Sequence, residues 1–284
     1  MNELLSVLGQ AVAFGTPILL AALGEVVAER AGVVNLGVEG MMALGALAAF
    51  ATAQTTGNLL LGLLMGVLVG ALAAAIHALV AVTLRANQFV SGLALTALGL
   101  GVSGLLGQHF VGSPLLEPLP GAEFRIGAVL LAIGVWGVLY LTQTGLILRS
   151  VGENPGAVDV MGISVVRVRW LAVLFGGAMA GLAGSYLSLS YRPAWVDGTT
   201  AGLGWIAVAL TIFVGWHPVR AILGAFFFGL LYHLAFRLQG RVPSEFLLML
   251  PYLLVVVVLS LAALRRQQGA APEALGLPYK RGER

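Results

Sequence analysis

The chain has 284 residues, 59% hydrophobic and 10% charged, with a mean hydropathy of +0.98. Soluble domains carry about 25% charged residues, so the composition excludes a water-soluble fold and predicts an integral membrane protein. The net charge of +3 and pI near 9.6 are assigned to arginines flanking membrane segments and not to a nucleic-acid surface. The absence of cysteine removes disulfides, thiolate metal sites and cysteine nucleophiles.

The start, MNELLSVLGQ, has no lysine or arginine before the apolar run, so it lacks the basic n-region of a cleaved signal peptide and the first helix is expected to stay. Apolar runs of about 17 to 25 residues, the length that crosses a bilayer, are read at 4–28, 33–53, 58–84, 89–109, 126–148, 170–190, 203–216, 219–236 and 246–264. The run at 203–216 is short, and is either a half-helix or continuous with the next through WHPVR. The expected fold is an all-α polytopic bundle of eight to ten transmembrane helices spanning 1–264, with a cytoplasmic connection at 147–169. The tail 265–284, polar and rich in Pro and Gly, is expected to be largely disordered.

Orientation follows from the enrichment of cytoplasmic loops in Lys and Arg. Placing Arg30, Arg85, Arg149, Arg167, Arg169, Arg220, Arg265, Arg266, Lys280, Arg281 and Arg284 inside leaves only Arg125, Arg192, Arg237 and Arg241 outside. The N-terminus is therefore expected outside and the C-terminus inside. Packing is also legible, because Gly62, Gly66, Gly70 and Ala74 recur every four residues in one run, and Gly177, Gly181 and Ser185 do the same in another. Such stripes let helix backbones approach closely.

The most unusual stretch is ERAGVVNLGVEGMMALGA, Glu29 to Ala46. On a helix Asn35, Glu39, Met42 and Ala46 share one face, while Gly32, Gly37, Gly40 and Gly45 weaken the helix by about 1 kcal/mol each relative to Ala. A charge near the bilayer centre costs roughly 2.5–3.5 kcal/mol, so Glu39 should face protein or water. Two readings stand side by side: a functional polar face, or a carboxylate at the cytoplasmic interface that pairs with Arg30 or caps a helix. His77 lies on the Gly70–Ala74 stripe and reads first as a packing histidine, with a ligand or proton-carrying role as the alternative. Trp136 aside, Trp170, Trp195, Trp205 and Trp216 lie near span ends and are assigned to the aromatic belt.

The longest cytoplasmic connection, LRSVGENPGAVDVMGISVVRVR, holds enough polar sequence for a short helix begun by Pro155. Loops longer than connection requires tend to carry function. No GxxxxGK[ST] phosphate loop, HExxH, GxSxG or paired metal-ligand spacing occurs, so ATP hydrolysis by that fold and intramembrane hydrolase chemistry have no visible residues.

The combination of ERAGVVNLGVEGMMALGA, RANQFVSGLALTALGLGVSG, VGENPGAVDVMGI and GLGWIAVALTIFVGWHPVRAILGAFFFG resembles the permease subunits of bacterial ABC importers of the branched-chain amino acid and ribose group. It is most similar to the shorter permease of nucleoside systems. The resemblance implies a type II importer-like bundle with inverted repeats in the bacterial cytoplasmic membrane, and a pathway at the interface with a second, longer permease. It also implies an extracytoplasmic binding protein and cytoplasmic ATPases that bind ATP and magnesium. This chain would then hold no cofactor or metal and would be no enzyme. Asn35, Glu39, Met42, His77, Asn87 and Gln88 become candidates for the substrate pathway. Gly152, Glu153, Asn154, Pro155, Gly156, Ala157, Asp159 and Gly162 match the family's coupling helix, which docks in a cleft of the ATPase. A ribose or other simple-sugar permease is the alternative substrate reading, and a secondary transporter or channel using Glu39 or His77 is the alternative class.

Overall fold

The computed structural model describes residues 2–115, 117–238 and 271–281, with scattered positions between 246 and 260. The apolar run at 246–264 therefore lies largely outside the described residues. Ten α-helices are described: α1 (Asn2–Arg30), α2 (Val38–Thr56), α3 (Leu59–Ala78), α4 (Gln88–Gly107), α5 (Gly121–Leu141), α6 (Gln143–Glu153), α7 (Pro155–Val160), α8 (Val165–Tyr186), α9 (Leu203–Phe213) and α10 (Pro218–Arg237). Five-residue π-helical turns extend α3 through Thr83 and α8 through Tyr191. Side chains mark several starts: the amides of Leu61, Val90 and Ala157 donate to the Asn58, Asn87 and Asn154 side chains, satisfying N–H groups with no intrahelical partner.

The helices sort their residues by size more than by polarity, as expected where the solvent is lipid. On α3, Gly62, Gly66, Gly70 and Ala74 are buried, while Leu60, Leu64, Leu68, Leu72 and Ile76 on the other side stay exposed. The buried stripe meets its counterpart on α8 running antiparallel, with Gly70 against Gly177 and Gly66 against Gly181 and Ser185. α2 crosses the same point: a Cβ on Gly45 would lie 2.5 Å from the Gly181 Cα and 3.1 Å from the Gly66 carbonyl oxygen. α1 runs through the centre, packed on α8 at Gly24–Gly176 and on α10 at Gly15–Ala225.

Six of these helices, α1, α3, α4, α5, α8 and α10, are long and apolar enough to cross a bilayer. α2 is enclosed by its neighbours and α9 is a half-helix; its 11 residues rise about 16 Å, roughly half a hydrocarbon core.

Three expectations need correction. The fifth run ends at Leu141, and the segment assigned to membrane up to 148 turns at Thr142 into the amphipathic α6. Trp195 and Trp216 are 2% and 5% exposed, so they pack inside the protein and not in an aromatic belt. The tail is not disordered throughout: residues 271–281 form turns in which the Ala274 amide donates to the Gly152 carbonyl (2.9 Å) and the Gly276 amide to the Gly32 carbonyl (3.2 Å). Its partners are backbone carbonyls at distant helix ends, which no local pattern announces. Residues 265–270 and 282–284 lie outside the described residues.

Candidate functional site

Between α1 and α2 the chain breaks for seven residues, Ala31 to Gly37; the amides of Ala31, Gly32 and Val33 donate back to α1 carbonyls, and side chains from other elements hold four of the remaining backbone groups. Gln88 accepts from the Val34 amide (2.8 Å), and His77 Nε2 bonds the Val34 carbonyl (3.0 Å). Because a carbonyl only accepts, Nε2 carries the proton, and in the neutral ring Nδ1 accepts from Ser91 at 3.0 Å. Thr96 donates to the Leu36 carbonyl (2.7 Å), and buried Arg169 donates through Nε to the Ala31 carbonyl (3.1 Å). Asn35 accepts from the Gly37 amide (2.9 Å) and donates to Glu25 (3.2 Å). A chain break inside an apolar bundle needs this, since an unpaired buried backbone group costs about 1–3 kcal/mol.

The first turn of α2 then holds α9. Glu39, 3% exposed, accepts from the Thr200 hydroxyl (2.5 Å) and the Gly202 amide (2.8 Å) on one oxygen, and from the Gly204 amide (2.6 Å) on the other. These are unpaired donors at the N-terminus of α9, where a negative charge is also favoured by the helix dipole. At the other end Arg30 donates to the carbonyls of Gly215 (3.1 Å) and Trp216 (3.3 Å), the cationic complement. The Trp216 indole donates to Glu29. Both ends of the half-helix are thus fixed by ionisable side chains from α1 and α2. Beside the α9–α10 turn, His217 stacks on Tyr140 with ring centroids 5.4 Å apart. Burial, then the Arg220 and Arg30 guanidinia, push its pKa below the ordinary imidazole value.

Glu39 therefore caps a helix, but the helix is α9 and not its own, and Arg30 serves the opposite end instead of pairing with it. Asn35, Glu39, Met42, His77 and Gln88 are all buried; Asn35, His77 and Gln88 bond the break and Glu39 holds α9, whereas Met42 packs in the apolar core with its backbone against Gly184 of α8. Asn87 is exposed and caps α4. Glu25, Glu29, Thr96, Arg169 and Thr200 complete the cluster and were not among the sequence candidates. The pair Glu25 and Glu29, one turn apart inside an apolar helix, was the available signal.

A second candidate region is α6 with α7. Pro155 opens α7 and Asn154 caps it, while Glu153, Gly156, Ala157, Val160 and Met161 are exposed. Gly162, at φ +82°, turns the chain toward α8. A cavity of about 920 Å³ separates α7 from residues 273–281 and is lined by Glu153, Asn154, Asp159, Tyr279 and Arg281 among others.

An all-α bundle with a half-helix clamped at both ends and an exposed amphipathic connection is an arrangement that membrane transport subunits use. The family described as branched-chain amino acid transport system / permease component matches residues 7–259, and the chain belongs to that family. It is 39% identical to TsgC13 of Haloferax volcanii, which is provisionally assigned as a glucose ABC transporter permease, over 99% of both chains. It is 33% identical to the guanosine ABC transporter permease NupQ of Bacillus subtilis over 99% of both. The nucleoside ABC transporter permease NupC of Lactococcus lactis is 34% identical over 98% of both. No solved structure matches the chain. The protein is a multi-pass ABC transporter permease subunit and not itself an enzyme, and its family implies a membrane, an ATPase and a substrate-binding partner.

Proposed function

We propose that the chain forms half of the pathway of an ATP-driven nucleoside importer, paired with a longer permease. ATP and magnesium are bound by a separate ATPase on the cytoplasmic side, and an extracytoplasmic protein delivers the substrate. The observation that carries the substrate reading is the end-to-end match to NupQ and NupC, permeases named for guanosine and for nucleosides. Arg30, Arg149, Arg169, Arg220 and Arg281 gather at one end of the bundle with α6 and α7, and Arg125, Arg192 and Arg237 at the other. This supports N-terminus outside and C-terminus inside, with α7 facing the ATPase.

In this reading Gly152 to Gly162 is the coupling element. Asn35, Glu39, His77 and Gln88 shape the pathway wall by holding the break and α9 in place, with Met42 beside them on α2, and Asn87 sets the entry of α4. A half-helix pinned at both ends suits a gate, because it can move as a unit when either clamp shifts.

A sugar substrate is the second reading, favoured by the 39% identity to TsgC13. The two separate in one assay. Cells expressing the full transporter take up labelled guanosine, and unlabelled nucleosides or sugars compete. Competition by nucleosides alone supports the proposal, and uptake of glucose or ribose without guanosine uptake refutes it.

A further inference from the structure

We infer that residues 271–281 are the link through which α6 and α7 act on the α1–α2 break, with Arg169 as its positioning residue. The inference rests on the reading of α7 as the ATPase-facing element.

On the α6–α7 side the link is made three times. The Ala274 amide donates to the Gly152 carbonyl (2.9 Å), the Glu273 amide to the Glu153 carboxylate (3.3 Å), and Arg281 pairs with Asp159 (3.0 Å). Gly152 also abuts the Arg30 carbonyl closely enough to leave no room for a Cβ. On the break side, the Gly276 amide donates to the Gly32 carbonyl (3.2 Å). Arg169 spans both, with Nε on the Ala31 carbonyl (3.1 Å) and Nη1 on the Leu277 carbonyl (2.8 Å).

The segment therefore bonds to α6, α7, α8 and the break at once. A contact that carries motion must be contiguous, and this one runs through two backbone–backbone bonds, the Glu273–Glu153 bond and the Arg281–Asp159 pair beside the cavity, about a guanidinium that is 2% exposed. Two features fix the segment in place. Gly276 adopts φ +76° to present its amide to Gly32, a conformation that favours glycine. Arg169 accepts burial in order to bond carbonyls from two other segments, which the compact ammonium of lysine could not do with the same fork. A push on α7 is delivered by this route to Ala31 and Gly32, and so to the segment that carries Asn35 and positions Glu39 on α9.

The test uses the complete transporter in proteoliposomes, with labelled guanosine, or glucose if the competition assay identifies it. Uptake and ATP hydrolysis are measured together. Truncation after Ala270 and Gly276→Pro, which removes the donated N–H and cannot adopt positive φ, should each lower uptake per ATP hydrolysed at least fivefold. The ATPase should still co-purify through α7. An unchanged ratio in both overturns the inference. If the truncated chain does not assemble, Gly276→Pro and a bridge decide. The chain has no cysteine, so Asp159→Cys with Arg281→Cys can be joined by a short reducible reagent. A rigid link predicts that the bridged complex keeps at least half of its uptake; loss that reverses on reduction means α7 and the segment separate in the cycle, and overturns it. Gly156→Trp serves as the control. If it leaves coupling untouched, the ATPase-facing reading of α7 fails, whatever the tail variants do.

Discussion

Replacing Glu39 by Gln changes the side chain's shape very little and its hydrogen-bonding capacity decisively. All three partners of Glu39 are donors. An amide offers one acceptor oxygen, so whichever way the substituted side chain turns, its NH2 group meets the amide of Gly202 or of Gly204. One buried backbone donor is left unsatisfied, at about 1–3 kcal/mol, and the charge at the α9 N-terminus is lost, at about 0.3–2 kcal/mol. The expected cost is roughly 2–4 kcal/mol, or a melting temperature lower by roughly 4–16 °C at about 2–4 °C per kcal/mol. Thr200→Val removes a single hydroxyl donor and leaves both amides in place, so it should cost clearly less. The assay is thermal unfolding of the purified complex in detergent, alongside uptake per folded molecule. Equal melting of Glu39→Gln and the parent would refute the clamp. Lower stability with normal uptake per molecule would assign Glu39 to architecture alone, while reduced uptake per molecule would place α9 in the pathway.

Other substitutions test the remaining parts. Gly45→Ala should cost about 1–3 kcal/mol by overpacking, because its Cβ meets backbone at 2.5 Å, whereas Gly101→Ala, with nothing within 4 Å, should be neutral or better; yield after a heat challenge in detergent ranks them. His77→Ala loses bonds to Ser91 and Val34 and should destabilise by about 1–3 kcal/mol and lower guanosine uptake per folded molecule, because the break it holds shapes the pathway wall; lower stability with normal uptake per molecule would assign His77 to packing alone. Ala157→Trp lies on an exposed surface, so the permease should fold normally and lose ATPase co-purification. His217 binds protons less readily folded than unfolded, so its contribution to stability should fall as pH drops through its unfolded value near 6.5; His217→Gln should flatten the melting curve's pH dependence in that range, and an unchanged slope counts against it.

Much of the architecture was legible because it rests on local causes. Apolar runs reveal spans wherever lipid is the solvent, and eight of the nine runs read from the chain correspond to α1–α5 and α8–α10. Small residues spaced by four on α3 and α8 announced a close crossing because only small side chains permit one. Pro155 after Asn154 marked the start of α7, since a proline fits the first turn and an asparagine caps it. Asn35 and Glu39 stood out as polar residues too costly to leave in lipid.

What those residues touch could not be read locally. Glu39 bonds Thr200, Gly202 and Gly204, more than 160 positions away, and a carboxylate's need for donors does not say which helix end supplies them. Arg30 read as a candidate partner for Glu39; only the return of α9 from the far end put Gly215 and Trp216 within its reach. Arg169 read as a basic flank, and the tail as solvated chain, because hydrophilic composition records a preference for water and not the alternative of carbonyls left unpaired at helix ends. Composition and spacing thus determined that this chain is a glycine-packed membrane bundle with a break and an exposed connecting helix. Which buried charge satisfies which orphaned backbone group was decided by tertiary structure alone, because hydrogen bonds are short-ranged and their partners here come from segments the chain brings together only after folding.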